Sequence, residues 1–79
     1  MRLDKYLKVS RIIKRRTVAN EVCDAGKATV NGKTARASYD VKVGDIVELT
    51  FETRTVRFRV EQVAETVRKE DAASMYTPV

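Results

Sequence analysis

The sequence predicts an α+β fold: a single small domain in which two N-terminal helices pack on a small, mostly antiparallel, twisted sheet, followed by a short C-terminal tail. Three observations carry this. Apolar residues recur at helical spacing as far as Ala25, and after Lys27 the period changes to alternation. Two turn pairs, Asn31-Gly32 and Gly44-Asp45, then divide the alternating half into strands.

In the first helix, Leu3, Leu7 and Val9 lie at helical spacing with Tyr6 beside them, while Arg2, Lys5 and Lys8 repeat every third residue on another face. Ser10 follows, and the β-branched pair Ile12-Ile13 marks the helix as ended in a buried linker. Lys14, Arg15 and Arg16 lead into a second helix over about Thr17 to Ala25. There Val18 and Val22 stack one turn apart, as do Ala19 and Cys23, with Asn20, Glu21 and Asp24 on the wet side. Gly26 is placed to accept the left-handed conformation that closes a helix.

Asn31-Gly32, between Ala28-Thr29-Val30 and Lys33-Thr34, is the strongest short hairpin signal, because both central turn positions need positive φ. Tyr39 to Val43 leads through Gly44-Asp45 into a strand from Ile46 to Phe51, where Val47, Leu49 and Phe51 face one way and Glu48, Thr50 and Glu52 the other. A loop at Glu52 to Thr55 reverses the chain. Val56, Phe58 and Val60 then alternate with Arg57, Arg59 and Glu61, a pairing that sets both arginines near the acids opposite. The domain is expected over residues 1–63 and a loose tail over 64–79, with room for one helical turn before Pro78. Met75 and Tyr76 are expected to dock back on the sheet, with engagement of a partner as the alternative.

Composition bounds the chemistry. A chain of 79 residues buries only about 60–65% of the surface its unfolded form exposes, so the core is thin. There is no histidine, which removes the commonest general base near neutral pH and the commonest metal ligand. Cys23 is the single cysteine, so no intrachain disulfide and no thiolate cluster can form. No metal, no cofactor and no catalytic residues are expected, and the chain is not read as an enzyme. No apolar run is long enough for a membrane span, and a cytoplasmic monomer without membrane contact is expected.

Charge is the informative quantity. Of the sixteen Lys and Arg residues, seven fall between Met1 and Arg16 against one acid, Asp4, a local net of +6. The other 63 residues hold nine bases and ten acids. The whole positive charge of the protein is one local feature, and a polyanion is the simplest partner for it.

The order of these features resembles the S4-type RNA-binding domain, also called the alpha-L domain. The matching residues are Arg2-Leu3-Asp4 with Leu7, Ser10, Arg15-Arg16 with Ala19, Gly26, Val30-Asn31-Gly32-Lys33, Ser38, Val41 and Gly44-Asp45, together covering roughly residues 2 to 50. The domain is nearly the whole chain, and the ending from Arg68 to Tyr76 is similar to that of the RqcP/YabO family of small ribosome-associated quality-control factors, related to the fifteen-kilodalton heat-shock protein. The resemblance implies binding to large ribosomal subunits obstructed by peptidyl-tRNA, with contacts to large-subunit rRNA and to the tRNA. It also implies support of an RqcH-type tailing factor that adds C-terminal alanine.

The candidate RNA-binding residues are Arg2, Lys5, Lys8, Arg11, Lys14, Arg15, Arg16 and Lys33. Arg offers a planar fork that matches a phosphate, and Lys acts as a mobile point charge. Arg2, Lys5 and Lys8 on one helix face track one phosphate ridge, and the cluster from Arg11 to Arg16 reaches a second; such a surface reads shape more than sequence. Arg2 and Arg16 match motif positions of the family and rank first. Four to six phosphate contacts correspond to a salt slope of about −3 to −5.

Blander readings stand beside these. A cationic run is commonly a solvated face, and exposed turn lysines such as Lys33 are common. Tyr6 reads as core more than as a stacking platform, Cys23 as a small buried filler, Asp4 as a helix N-terminal charge, and Arg57 and Arg59 as cross-strand partners. Two alternatives stay open: a structured-RNA-binding or ribosome-assembly protein without a tailing role, and a module binding an acidic protein partner.

Overall fold

The computed structural model describes the whole chain, Met1–Val79. Helix α1 spans Leu3–Val9 and α2 spans Arg16–Val22, continued by a wide π-type turn over Cys23–Lys27. Strands follow as β1 (Ala28–Val30), β2 (Lys33–Thr34), β3 (Ile46–Thr50) and β4 (Thr55–Val60), then a 3-10 helix (Lys69–Met75) and β5 (Tyr76–Pro78). All strand pairs are antiparallel, in the order β2-β1-β3-β4-β5.

Helix α1 has no side-chain cap. Its first backbone N–H groups instead meet carbonyls of the segment that crosses beneath it: Leu3 donates to Tyr39 (2.8 Å) and Asp4 to Ala37 (3.2 Å). In return Val41 donates to the Met1 carbonyl at 2.8 Å, so the stretch read as leading into a strand makes only a single bridge, Arg2 to Asp40. Helix α1 thereby starts against the segment 37–41, with Arg2 at its N-terminus.

Leu3, Tyr6 and Leu7 of α1 are fully buried, as are Val47 and Leu49 of β3 and Phe58 and Val60 of β4. The Tyr6 and Phe58 rings stack with centroids 6.2 Å apart, and Tyr76 meets Phe58 edge-on at 5.5 Å. The helices meet through small residues, Ala19 and Cys23, both buried. Val18, expected on the apolar face, is 41% exposed. The helix approaches α1 along its Ala19–Cys23 line, which turns the larger Val18 outward.

The second helix also ends earlier than its apolar pattern predicts. Regular α-helix stops at Val22, and the wide turn carries the chain to Gly26, which takes φ +80° where a side chain would be strained. Asn31 (φ 53°) and Gly32 (φ 85°) form the expected tight hairpin turn. The Asn31 amide also donates to Asp45 Oδ1 (3.1 Å) and accepts from the Ile46 N–H (3.0 Å), so the two turns hold each other.

Two expectations for the second half change. In the β3–β4 register Arg57 lies opposite Glu48 as predicted, but Arg59 lies opposite Ile46. Arg59 instead pairs with Glu61, one residue past the end of its strand, Nη2 to Oε2 at 2.8 Å. The tight turn closed by Phe51 N–H to the Arg54 carbonyl (2.8 Å) sets this register and leaves no acid across from Arg59. The stretch expected as a loose tail adds a fifth strand: Val60 pairs with Tyr76, Arg59 with Thr77 and Phe58 with Pro78. Met75 is fully buried, as the docking expectation required, and Pro78 is tolerated because β5 is an edge.

Candidate nucleic-acid interface

Seven bases so close in sequence repel one another, yet α1, the turn after it and the start of α2 bring five of them onto one surface. Ser10 ends α1, buried, with its hydroxyl on the Leu7 carbonyl at 3.3 Å. Arg11 then takes a positive φ of 63°, and Ile13 anchors the linker by donating to the Leu7 carbonyl at 3.1 Å. This hook turns the chain so that Lys14 and Arg16 come back beside the row begun by Lys5 and Lys8.

The result is an open groove of about 520 Å³ lined by Lys5, Lys8, Arg11, Lys14 and Arg16, together with Val9. Its far wall is the segment Glu65-Thr66-Val67. Glu65 is ion-paired to Lys5, whose ammonium holds the carboxyl below its ordinary value. Sequence reasoning does not reach this wall, because it lies 60 residues from the lysine it meets.

Arg2 lies next to the groove and is tied to Arg16 through Asp4. The Asp4 side chain is 3% exposed, between α1 and α2. Its Oδ1 accepts from Arg2 Nε (3.1 Å) and from the Lys5 N–H (2.8 Å). Oδ2 accepts from Asn20 Nδ2 (3.2 Å) and from Arg2 Nη2 (3.4 Å), with Arg16 Nε at 3.5 Å. Burial acts to raise the Asp4 pKa, but the hydrogen bonds from Arg2, Asn20 and the Lys5 N–H, with the charge of Arg16, outweigh it and leave the value at about 2. The same pairing raises the pKa of Arg2. Asp4 is therefore a clamp on two arginines as well as a charge in the first helical turn. A lone acid among seven bases is the one sequence signal that points to it; Asn20, read as a solvent-facing residue, has none.

Of the eight candidate bases, five line the groove and a sixth, Arg2, is coupled to it through Asp4. Arg15 is exposed at the residue before α2 and lines neither the groove nor the smaller recess formed by Asp4, Arg16, Thr17, Asn20 and Glu21. Lys33 stands on β2, at the edge of the sheet, and joins neither. Tyr6 is wholly buried with its hydroxyl on the Met75 carbonyl, so it offers no stacking face.

Cys23 is buried, and that burial pushes its thiol up to about 11, the opposite of an activated nucleophile. No group of three or more Cys, Asp or Glu gathers closely enough to hold a metal ion, and no helix is long and apolar enough to cross a membrane. What remains is a field of fixed positive charge.

The comparisons bear on the family and the fold. The S4 domain family matches residues 1–47. The chain is 53% identical over 77 residues to a Bacillus subtilis protein named RQC P-site tRNA stabilizing factor, covering 98% of this chain and 90% of the relative. It is 57% identical over 76 residues to the protein of the same name from Streptococcus pneumoniae, covering 96% and 86%. Among solved structures, the trimeric Vibrio cholerae Heat Shock Protein 15 superposes with a TM-score of 0.91 at 28% identity, over 100% of this chain and 81% of that one. The chain thus belongs to the S4-domain family, in the branch whose relatives are named RQC P-site tRNA stabilizing factor.

Proposed function

We propose that this chain is a non-catalytic RNA-binding factor that acts on large ribosomal subunits obstructed by peptidyl-tRNA. The observation that carries the reading is the groove: five bases from two helices and the turn between them on one open surface, with Arg2 joined to the groove's Arg16 through Asp4. Its lining suits a backbone ridge more than a base edge, because it is made of cationic side chains and no aromatic ring is among them. Lys5 and Lys8 meet one run of phosphates, and Arg11, Lys14 and Arg16 the next, with Arg2 extending the first.

Relatives named as stabilizing a P-site tRNA in ribosome-associated quality control support the choice of RNA. On this reading the factor bridges large-subunit rRNA and the tRNA, and a steadied tRNA lets an RqcH-type tailing factor add C-terminal alanine to the stalled chain. The protein's contribution is position and charge, with no chemical step of its own.

Sedimentation of cell lysate through a sucrose gradient at moderate salt tests this, comparing wild type with Arg16→Ala. Co-migration with free large subunits that carry peptidyl-tRNA, lost in the variant and after RNase treatment, is the expected result. A wild-type protein that stays at the top of the gradient refutes the ribosomal role. Sedimentation that survives RNase favours an acidic protein partner.

A further inference from the structure

Two carboxylates of the wrong sign stand at the candidate interface, Glu65 on the groove wall and Asp4 beside it. A carboxylate beside a phosphate-binding surface opposes binding by simple electrostatics, by a factor of about two to three at surface distances and moderate salt. Asp4 nevertheless lies between Arg16, which lines the groove, and Arg2 beside it, nearly free of solvent.

We propose that Asp4 is a positioning residue: it fixes the guanidinium groups of Arg2 and Arg16 in one relative geometry before RNA arrives, and this ordering outweighs its own repulsion of phosphate. The inference rests on the RNA-binding reading above. An unrestrained arginine on a surface loses rotamer freedom when it grips a phosphate, and a residue already held does not. Asp4 reaches both arginines at Nε, and the Nη groups of Arg16 make no hydrogen bond within the protein. Arg16 is thus held to Asp4 only by charge, as an ion pair at 3.5 Å, and its outer fork is left for a phosphate.

The atoms show why only a carboxylate serves. Oδ1 takes Arg2 Nε and the Lys5 N–H, and Oδ2 takes Asn20 Nδ2 beside Arg16 Nε, so donors face both oxygens. An asparagine of the same shape has one oxygen and one donor. Whichever way its amide is turned, a donor meets donors and one arginine is released.

The sign of the effect is the test. Asp4→Asn and Glu65→Gln each remove one negative charge from this face, and if charge alone mattered, both would bind RNA more tightly. Binding of fluorescently labelled, unfractionated tRNA is measured by anisotropy at two salt concentrations, with a melting curve for each variant. Glu65→Gln is expected to tighten binding about twofold and Asp4→Asn to weaken it about tenfold. In an Arg16→Ala background the Asp4→Asn loss should shrink to threefold or less, since one of its two clients is gone. Tighter binding by Asp4→Asn, or an undiminished loss in the Arg16→Ala background, overturns the positioning role while leaving RNA binding intact. No tRNA binding by the wild type overturns both. Should Asp4→Asn fail to fold, Asn20→Ala leaves both arginines and the carboxylate in place but unlocks Oδ2; a loss of two- to threefold is expected, and unchanged affinity counts against the proposal.

Discussion

The Tyr6 hydroxyl donates a 2.7 Å hydrogen bond to the backbone carbonyl of Met75, joining the first helix to the last turn before the final strand across 69 residues. That carbonyl also accepts from the Glu61 and Gln62 N–H groups, at 2.9 and 3.2 Å. Removing the hydroxyl therefore leaves no orphaned acceptor. Tyr6→Phe is expected to cost about 1 kcal/mol, in place of the larger penalty of an unsatisfied buried group. Urea unfolding monitored by circular dichroism reads this difference.

Met75→Ala is expected to cost more, about 2–5 kcal/mol, because its fully buried side chain belongs to the cluster that contains Tyr6 and Phe58. A domain this small has little stability to lose. A chain ending before Lys69 should lose its cooperative melting transition, since it also loses β5 from the sheet edge.

Arg11 holds a left-handed backbone at φ 63°, a conformation that costs a side-chain-bearing residue about 1 kcal/mol. Arg11→Gly and Arg11→Ala remove the same charge, but only glycine relieves the strain. The glycine variant should therefore melt about 4–8 °C above the alanine variant, with matching tRNA affinities.

Asp4 makes stability depend on acidity. Its folded pKa of about 2 lies below the ordinary 3.8, so the stabilisation is full above about pH 4 and is lost as pH falls toward 2. The amount is about 2 kcal/mol, from the factor of about 1.4 kcal/mol per pKa unit. Wild type should lose that much more than Asp4→Asn between pH 5 and pH 2 in denaturant titrations. Asp40, also lowered to about 2 by Lys42 and the N-terminal amine, is shared by both proteins and cancels.

Salt dependence separates the groove from the other bases. If the groove bases meet phosphates, Lys8→Ala or Lys14→Ala should reduce the slope of log affinity against log salt by about 0.7–0.9. Lys33→Ala, on a strand outside the groove, should change neither slope nor affinity by a measurable amount.

Much of this protein is legible along the chain. The β-hairpin at Asn31-Gly32, the alternation of β3 and β4, and the run of bases from Arg2 to Arg16 are local patterns, set by backbone conformation and residue period within a few positions. Those same patterns do not carry the long-range pairings. The Asp4–Asn20 contact spans 16 residues, Lys5–Glu65 spans 60 and Tyr6–Met75 spans 69. Which bases share a groove, which acid ties two arginines and where the last strand docks depend on how helices and sheet pack. Val18 turned outward and Arg59 paired with Glu61 follow from the same cause. Local pattern therefore accounts for the hairpin, β3, β4 and the sign of the charge, whereas β5 and the arrangement of the site follow from packing, which is settled by the shapes and volumes of residues distant in the chain.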